Sequence, residues 1–158
     1  MKYRRLGRNG PEVSVIGFGT WGIGGESAGA TSYGPTEDRS SLRALAAALD
    51  AGITFYDTSP AYGVGHSETL IGRAFASRRA DVVIASKVGF TDFNEPPDFS
   101  PAAIRSSLES SLVRLGSDYL DLLQLHGPDP NSVAFELAIE TLERLRAEGK
   151  VRFYGVSL

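Results

Sequence analysis

A chain of 158 residues, 42% apolar and 22% charged, is long enough and apolar enough to bury a core of its own. Its net charge of −3, with no run of Lys or Arg, argues against a nucleic-acid or anionic-membrane surface, and its lack of cysteine excludes disulfides and thiolate metal sites. No stretch is long enough to span a bilayer, residues 1–15 lack the apolar core of a secretory leader, and His66 and His126 stand too far apart for a metal motif, so a cytoplasmic protein is expected.

In chain order, the stretch YRRLGRNGPEV carries Asn9-Gly10, a two-residue turn signal that predicts a small hairpin. VSVIGFGT follows as a short apolar strand closed by glycines. A helix is predicted next, with Leu42, Leu45 and Leu49 on one face, Thr36 as its cap and Gly52 as its stop. ITFYDTS reads as a second strand and SETLIGRAFA as a helix burying Leu70, Ile71, Ala74 and Phe75. DVVIASKVG is a third strand, and residues 89–100 are loop-like. The next helix takes Ser100 as cap, Pro101 in its first turn and Gly116 as stop, and buries Ile104, Leu108, Leu112 and Leu115. DYLDLLQLH is a fourth strand, and the helix after it packs Phe135, Ala138, Leu142 and Leu145. VRFYGVSL closes the chain as a fifth strand.

Strict alternation of strand and helix makes a parallel sheet the economical topology. The strand ends at Thr20, Asp57, Lys87, His126 and Ser157 fall about 30 to 40 residues apart, the length of one strand–helix unit. Two parallel folds compete. For a doubly wound dinucleotide fold, Gly17, Gly19 and Gly22 match G-x-G-x-x-G after a strand, but that fingerprint needs a helix to open within the motif. Here the glycine-rich stretch IGGESAGATSYGP intervenes, and the next helix begins near Thr36. Asp57 also lies well beyond the ~20 residues at which the fold places its acidic residue. A (β/α)8 barrel instead gathers functional side chains at the carboxyl ends of its strands. Asp57, Lys87, His126 and Ser157 are polar residues at those ends.

Taken singly, each has a plain structural explanation. Lys87 and Asp57 could form a structural ion pair, Tyr62 could anchor its loop, and His126 could be a core histidine bonded to backbone. Together they fit one reaction. An ammonium stabilises a phenolate beside it, so the tyrosine can give its proton to a carbonyl oxygen, and a neutral histidine can orient that oxygen. The aspartate keeps the lysine charged and in place. The set contains no nucleophile paired with a base, and reduction of a carbonyl by nicotinamide hydride needs neither.

The segments GFGTWGIGG, AGITFYDTSPAYGVGHSETLIG, ASKVG, SSLVRLGSDYLDLLQLHGPD and GKVRFYGVS resemble the aldo-keto reductase superfamily in register along nearly the whole chain. The resemblance implies a (β/α)8 TIM barrel, an N-terminal hairpin capping its bottom, and NADPH as cofactor, with NADH not excluded. It implies Tyr62 as general acid, Lys87 easing release of its proton, Asp57 holding Lys87, and His126 orienting a small-molecule aldehyde or ketone. Gly19, Thr20, Trp21, Asp57 and Ser157 would lie at the nicotinamide. Two departures stand out. The family commonly has Asn after Ser157 where this chain has Leu158, and His66 and Glu68 fall in a loop the family varies, where they read as surface or helix-start residues. Because a TIM barrel takes ~250 residues, residues 1–158 are expected to form a partial barrel domain, truncated after its fifth strand. Activity would then need the missing C-terminal segment, from a complementing chain or a homo-oligomer. The alternative is a non-catalytic truncated barrel that binds a partner through its open edge.

Overall fold

The computed structural model describes residues 1–26 and 33–158; the middle of the glycine-rich stretch, residues 27–32, lies outside the described residues. An antiparallel hairpin comes first, β1 (Tyr3–Arg5) paired with β2 (Glu12–Ser14). Its connection is wider than the Asn9-Gly10 turn that the sequence suggests. A two-residue turn is closed by the N–H of the residue after it, and here that residue is Pro11, which has none. Leu6 N–H instead donates to Pro11 O at 2.9 Å, with Gly7 in the left-handed region at φ 67°.

The run VSVIGFGT is also divided, against the single strand expected. Val13 and Ser14 stay with the hairpin, and β3 is only Gly17–Gly19. Ser14 enforces the break: its hydroxyl donates to Ile16 O at 2.7 Å and accepts from Thr54 N–H at 2.9 Å. The hairpin is thereby pinned beneath the next strand, and Val15 and Ile16 are left exposed.

The alternating part continues as α1 (Asp38–Asp50), β4 (Phe55–Asp57), α2 (His66–Phe75), β5 (Val83–Val88), α3 (Pro101–Leu115), β6 (Leu120–His126), α4 (Val133–Ala147) and β7 (Val151–Ser157). α3 starts and stops as its sequence dictates: the Ser100 side chain accepts from Ala103 N–H, and Gly116 turns left-handed at φ 59°. α1 corrects one cap. Glu37, not Thr36, accepts from the N–H groups of Arg39 and Ser40, a position where the helix dipole also favours a carboxylate. Gly52, at φ 87°, follows that helix as its stop.

β3, β4, β5, β6 and β7 pair in parallel and in chain order. A doubly wound sheet reverses its order at a switch point, and this sheet never does. Each right-handed crossover therefore sets its helix on the same face, which is how a (β/α) barrel winds. The four helices form one layer in which each packs on the next. The core fills the space between layer and sheet, with Tyr56, Ile84, Leu123 and Leu125 meeting Leu45, Leu70, Phe75, Ile104, Leu108 and Leu142.

The strand period of two turns the alternate residues to the opposite face. Registers Asp57↔Ala85↔Leu122↔Phe153, Lys87↔Gln124↔Gly155 and His126↔Ser157 set these side chains in successive rows. The face is apolar at Phe55, Val83, Leu122 and Phe153 and becomes polar toward the carboxyl ends of the strands. Among the described residues no helix is long and apolar enough to cross a membrane.

Candidate active site

Lys87 is the centre of the polar end. A lysine inside a strand is almost never buried unless paired, and Lys87 is only 3% exposed. Its ammonium has three protons and three acceptors: Asp57 Oδ1 at 2.6 Å, Thr58 O at 2.9 Å and Tyr62 Oη at 3.1 Å. The stagger of the parallel register explains the fit, since Asp57 pairs with Ala85 and Lys87 stands one row above it. Tyr62 comes from the loop after β4, where Gly63 is left-handed at φ 63° and packs against the Gly24 carbonyl.

An ammonium is a donor only, so the Tyr62 oxygen accepts from Lys87. Its own proton has no acceptor among the described residues and is free for another partner. The second Asp57 oxygen accepts from Gln124 Nε2 at 3.4 Å.

His126 closes β6 beside Ser157, which pairs with it across the β6–β7 ladder. The imidazole is enclosed by rings, with Tyr62 at 6.4 Å, Phe90 at 5.5 Å and Phe93 at 5.5 Å, all edge-on. Its Nδ1 is buried with no hydrogen-bond partner among the described residues. Burial first, and the Lys87 ammonium second, push its pKa down to about 4, so the ring is neutral at pH 7. Following the His126 ring resonances by NMR should show no titration between pH 8 and about 5 and a midpoint near 4. The unfolded chain takes up that proton near the ordinary value of about 6.5, so stability is lost as pH falls from there toward the native value. A midpoint at an ordinary histidine value would mean that the ring box is open to water.

Trp21 stacks on Tyr62 at 6.1 Å, and Tyr33 leans on Trp21 at 5.1 Å. Gly19 pairs with Asp57 at the edge of the sheet and has open space where a side chain would stand. Thr20 is fully buried, its hydroxyl bonds to Asp57 O and Ser67, and its backbone N–H and C=O are likewise taken up by Asp57 O and Ile23 N–H. The structure thus brings Asp57, Tyr62, Lys87 and His126 into one cluster, with Gly19, Trp21 and Ser157 around it.

Sequence reasoning passed over Gln124, Phe90 and Phe93. Gln124 could have been found, because it precedes His126 by two and must share its face. Phe90 and Phe93 lie in the loop after β5 and carry no local signal. Glu68 is at a helix start as expected, but it is no surface residue. It is fully buried, bonded to Ser86 Oγ at 2.6 Å and to Arg114 Nε at 2.7 Å.

Residues 15–158 match the Aldo/keto reductase family. The aldo-keto reductase YhdN of Bacillus subtilis is 41% identical over 99% of this chain and 47% of its own length. The L-galactose dehydrogenase of Arabidopsis thaliana is 35% identical over 99% of this chain and 48% of its own. Among solved structures, the aldo-keto reductase AKR11C1 of Bacillus halodurans superposes with a TM-score of 0.86 at 35% identity, covering 99% of this chain and 50% of that one. An aldo/keto reductase of Klebsiella pneumoniae in complex with NADP and acetate superposes with a TM-score of 0.74 at 35% identity, over 92% of this chain and 46% of that one. The chain spans about half the length of the curated relatives it matches.

Proposed function

Since the chain belongs to the aldo/keto reductase family, we propose that it carries the proton-donating site of a nicotinamide-dependent reductase of aldehydes or ketones. The observation that carries this reading is the free proton on Tyr62, whose oxygen is already held by the Lys87 ammonium. Tyr62 gives that proton to the carbonyl oxygen as negative charge grows there. Lys87 stabilises the phenolate left behind, and Asp57 keeps the ammonium in place through its 2.6 Å contact. Neutral His126, whose Nδ1 has no hydrogen-bond partner among the described residues, donates to the same oxygen and orients it.

NADPH, when bound, supplies the hydride. The residues leave room for a flat carboxamide-bearing ring: among the described residues no atom lies within 4 Å of where a Cβ would stand on Gly19 or Gly155. Gly19, Trp21, Asp57 and Ser157 would hold it, and the solved Klebsiella relative is in complex with NADP. Trp21, Tyr62, Phe90 and Phe93 favour a carbonyl on an apolar or aromatic body.

The reaction is proposed for this chain together with a segment equivalent to the second half of its relatives, in the same polypeptide or a complementing one. The chain joined to that half of the Bacillus subtilis relative, given NADPH or NADH and an aromatic aldehyde, should consume reduced cofactor and form alcohol in equal amounts. A folded assembly that consumes neither cofactor overturns the reading.

A further inference from the structure

Asp57 and Tyr62 both touch Lys87, but those contacts alone do not hold the backbone that carries them. Backbone bonds hold it, Thr20 N–H to Asp57 O at 2.9 Å and Thr58 N–H to Ala85 O at 2.8 Å, and three hydroxyls on the helix side of the sheet add to them. Thr20, Thr58 and Ser67 are each fully buried. Thr20 Oγ1 lies 2.9 Å from Asp57 O, a carbonyl, and so donates its proton there. It can then only accept from Ser67 Oγ, 2.7 Å away. With the Ser67 proton directed to Thr20, the 3.0 Å contact between Thr58 Oγ1 and Ser67 Oγ has Thr58 as donor.

The donors therefore run from Thr58 to Ser67 to Thr20 to Asp57 O, starting and ending on two consecutive residues. Those two residues hold Lys87, Asp57 by its carboxylate and Thr58 by its carbonyl. Ser67 also reaches the third member of the cluster, since its N–H donates to Tyr62 O at 3.2 Å. One residue in the first turn of α2 thus ties together the end of β3 and the end of β4 through its hydroxyl, and the loop bearing Tyr62 through its N–H.

We propose that Ser67 is a positioning residue whose hydroxyl, through Thr58 and Thr20, fixes the Asp57–Thr58 unit that holds the Lys87 ammonium beside Tyr62. Its use in catalysis rests on the function proposed above, and its geometry does not. A buried hydroxyl that merely stabilises the fold would lower the melting temperature and leave Lys87 where it is.

The test reads Lys87 directly. In the 15N-labelled chain, an ammonium bonded on three sides exchanges its protons slowly and gives a resolvable ammonium signal, assigned by its absence from Lys87→Arg. Ser67→Ala should remove the signal or speed its exchange by roughly tenfold, the scale of one lost hydrogen bond. The amide spectrum of α3, β6 and α4 should stay unchanged. Thr58→Val, which cuts the same relay from the strand side, should do likewise and carries the test if Ser67→Ala does not fold. Ser67→Thr, which keeps the hydroxyl, should retain the signal. An unchanged Lys87 signal in Ser67→Ala and Thr58→Val, or no such signal in the parent chain, overturns the proposal. Absence of carbonyl reduction with these NMR results intact would remove the proposed function and leave the role of Ser67 standing.

Discussion

Tyr62→Phe is expected to lower kcat for carbonyl reduction by about 10²- to 10⁴-fold, the range supplied by a positioned general acid. The substitution removes one oxygen and little else. The ring keeps its stacking on Trp21 at 6.1 Å and its contact with Phe93 at 6.5 Å, so the mouth keeps its shape. Lys87 loses one acceptor but keeps Asp57 at 2.6 Å and the Thr58 carbonyl at 2.9 Å, so stability should change by no more than about 1 kcal/mol. Cofactor affinity should also hold, because the proposed mechanism puts the hydroxyl in the proton path and not in the nicotinamide cradle. The measurements are kcat, KM and a thermal melt on the assembled protein. A kcat within about threefold of the parent, far below the loss expected of a general acid, would mean that the proton comes from elsewhere.

That cluster was legible because its members are chemically out of place. A lysine, an aspartate and a histidine each end an apolar strand, where burial without a partner is costly, and the period of two puts them on one face with a partner within reach. The parts that escaped depend on groups distant in the chain or on backbone donors. Pro11 widened the hairpin turn because of a hydrogen it lacks. Ser14 broke a strand because Thr54, 40 residues on, bonds to it. Glu68 looks like an ordinary helix-start carboxylate, and only the fold brings Arg114 to it. Asp121 is similar: a carboxylate in a leucine-rich strand, 3% exposed, it is held by Arg79 at 2.7 Å and Arg152 at 3.0 Å. Local pattern announces that such a residue needs a partner, but not which one.

Arg114→Met is expected to be the most destabilising of the ion-pair substitutions, at about 3–5 kcal/mol. Glu68 has no exposed side-chain surface, whereas the Arg114 side chain is 28% exposed, and that asymmetry decides the outcome. Removing the guanidinium strands a carboxylate beneath α2 with, among the described residues, only the Ser86 hydroxyl at 2.6 Å left to bond it. Removing the carboxylate instead lets Arg114 turn toward water, while buried Ser111 Oγ still accepts from it at 3.2 Å. Glu68→Met should therefore cost less, about 1–3 kcal/mol, chiefly for the unsatisfied Ser86 hydroxyl. The double variant should be more stable than Arg114→Met alone, because an apolar pair of similar volume no longer contains a stranded charge. Denaturant unfolding of the four proteins as a double-mutant cycle gives all three values. Equal costs for the two single variants would mean that water reaches Glu68, and that the first turn of α2 is looser than its contacts with Ser86 and Arg114 require.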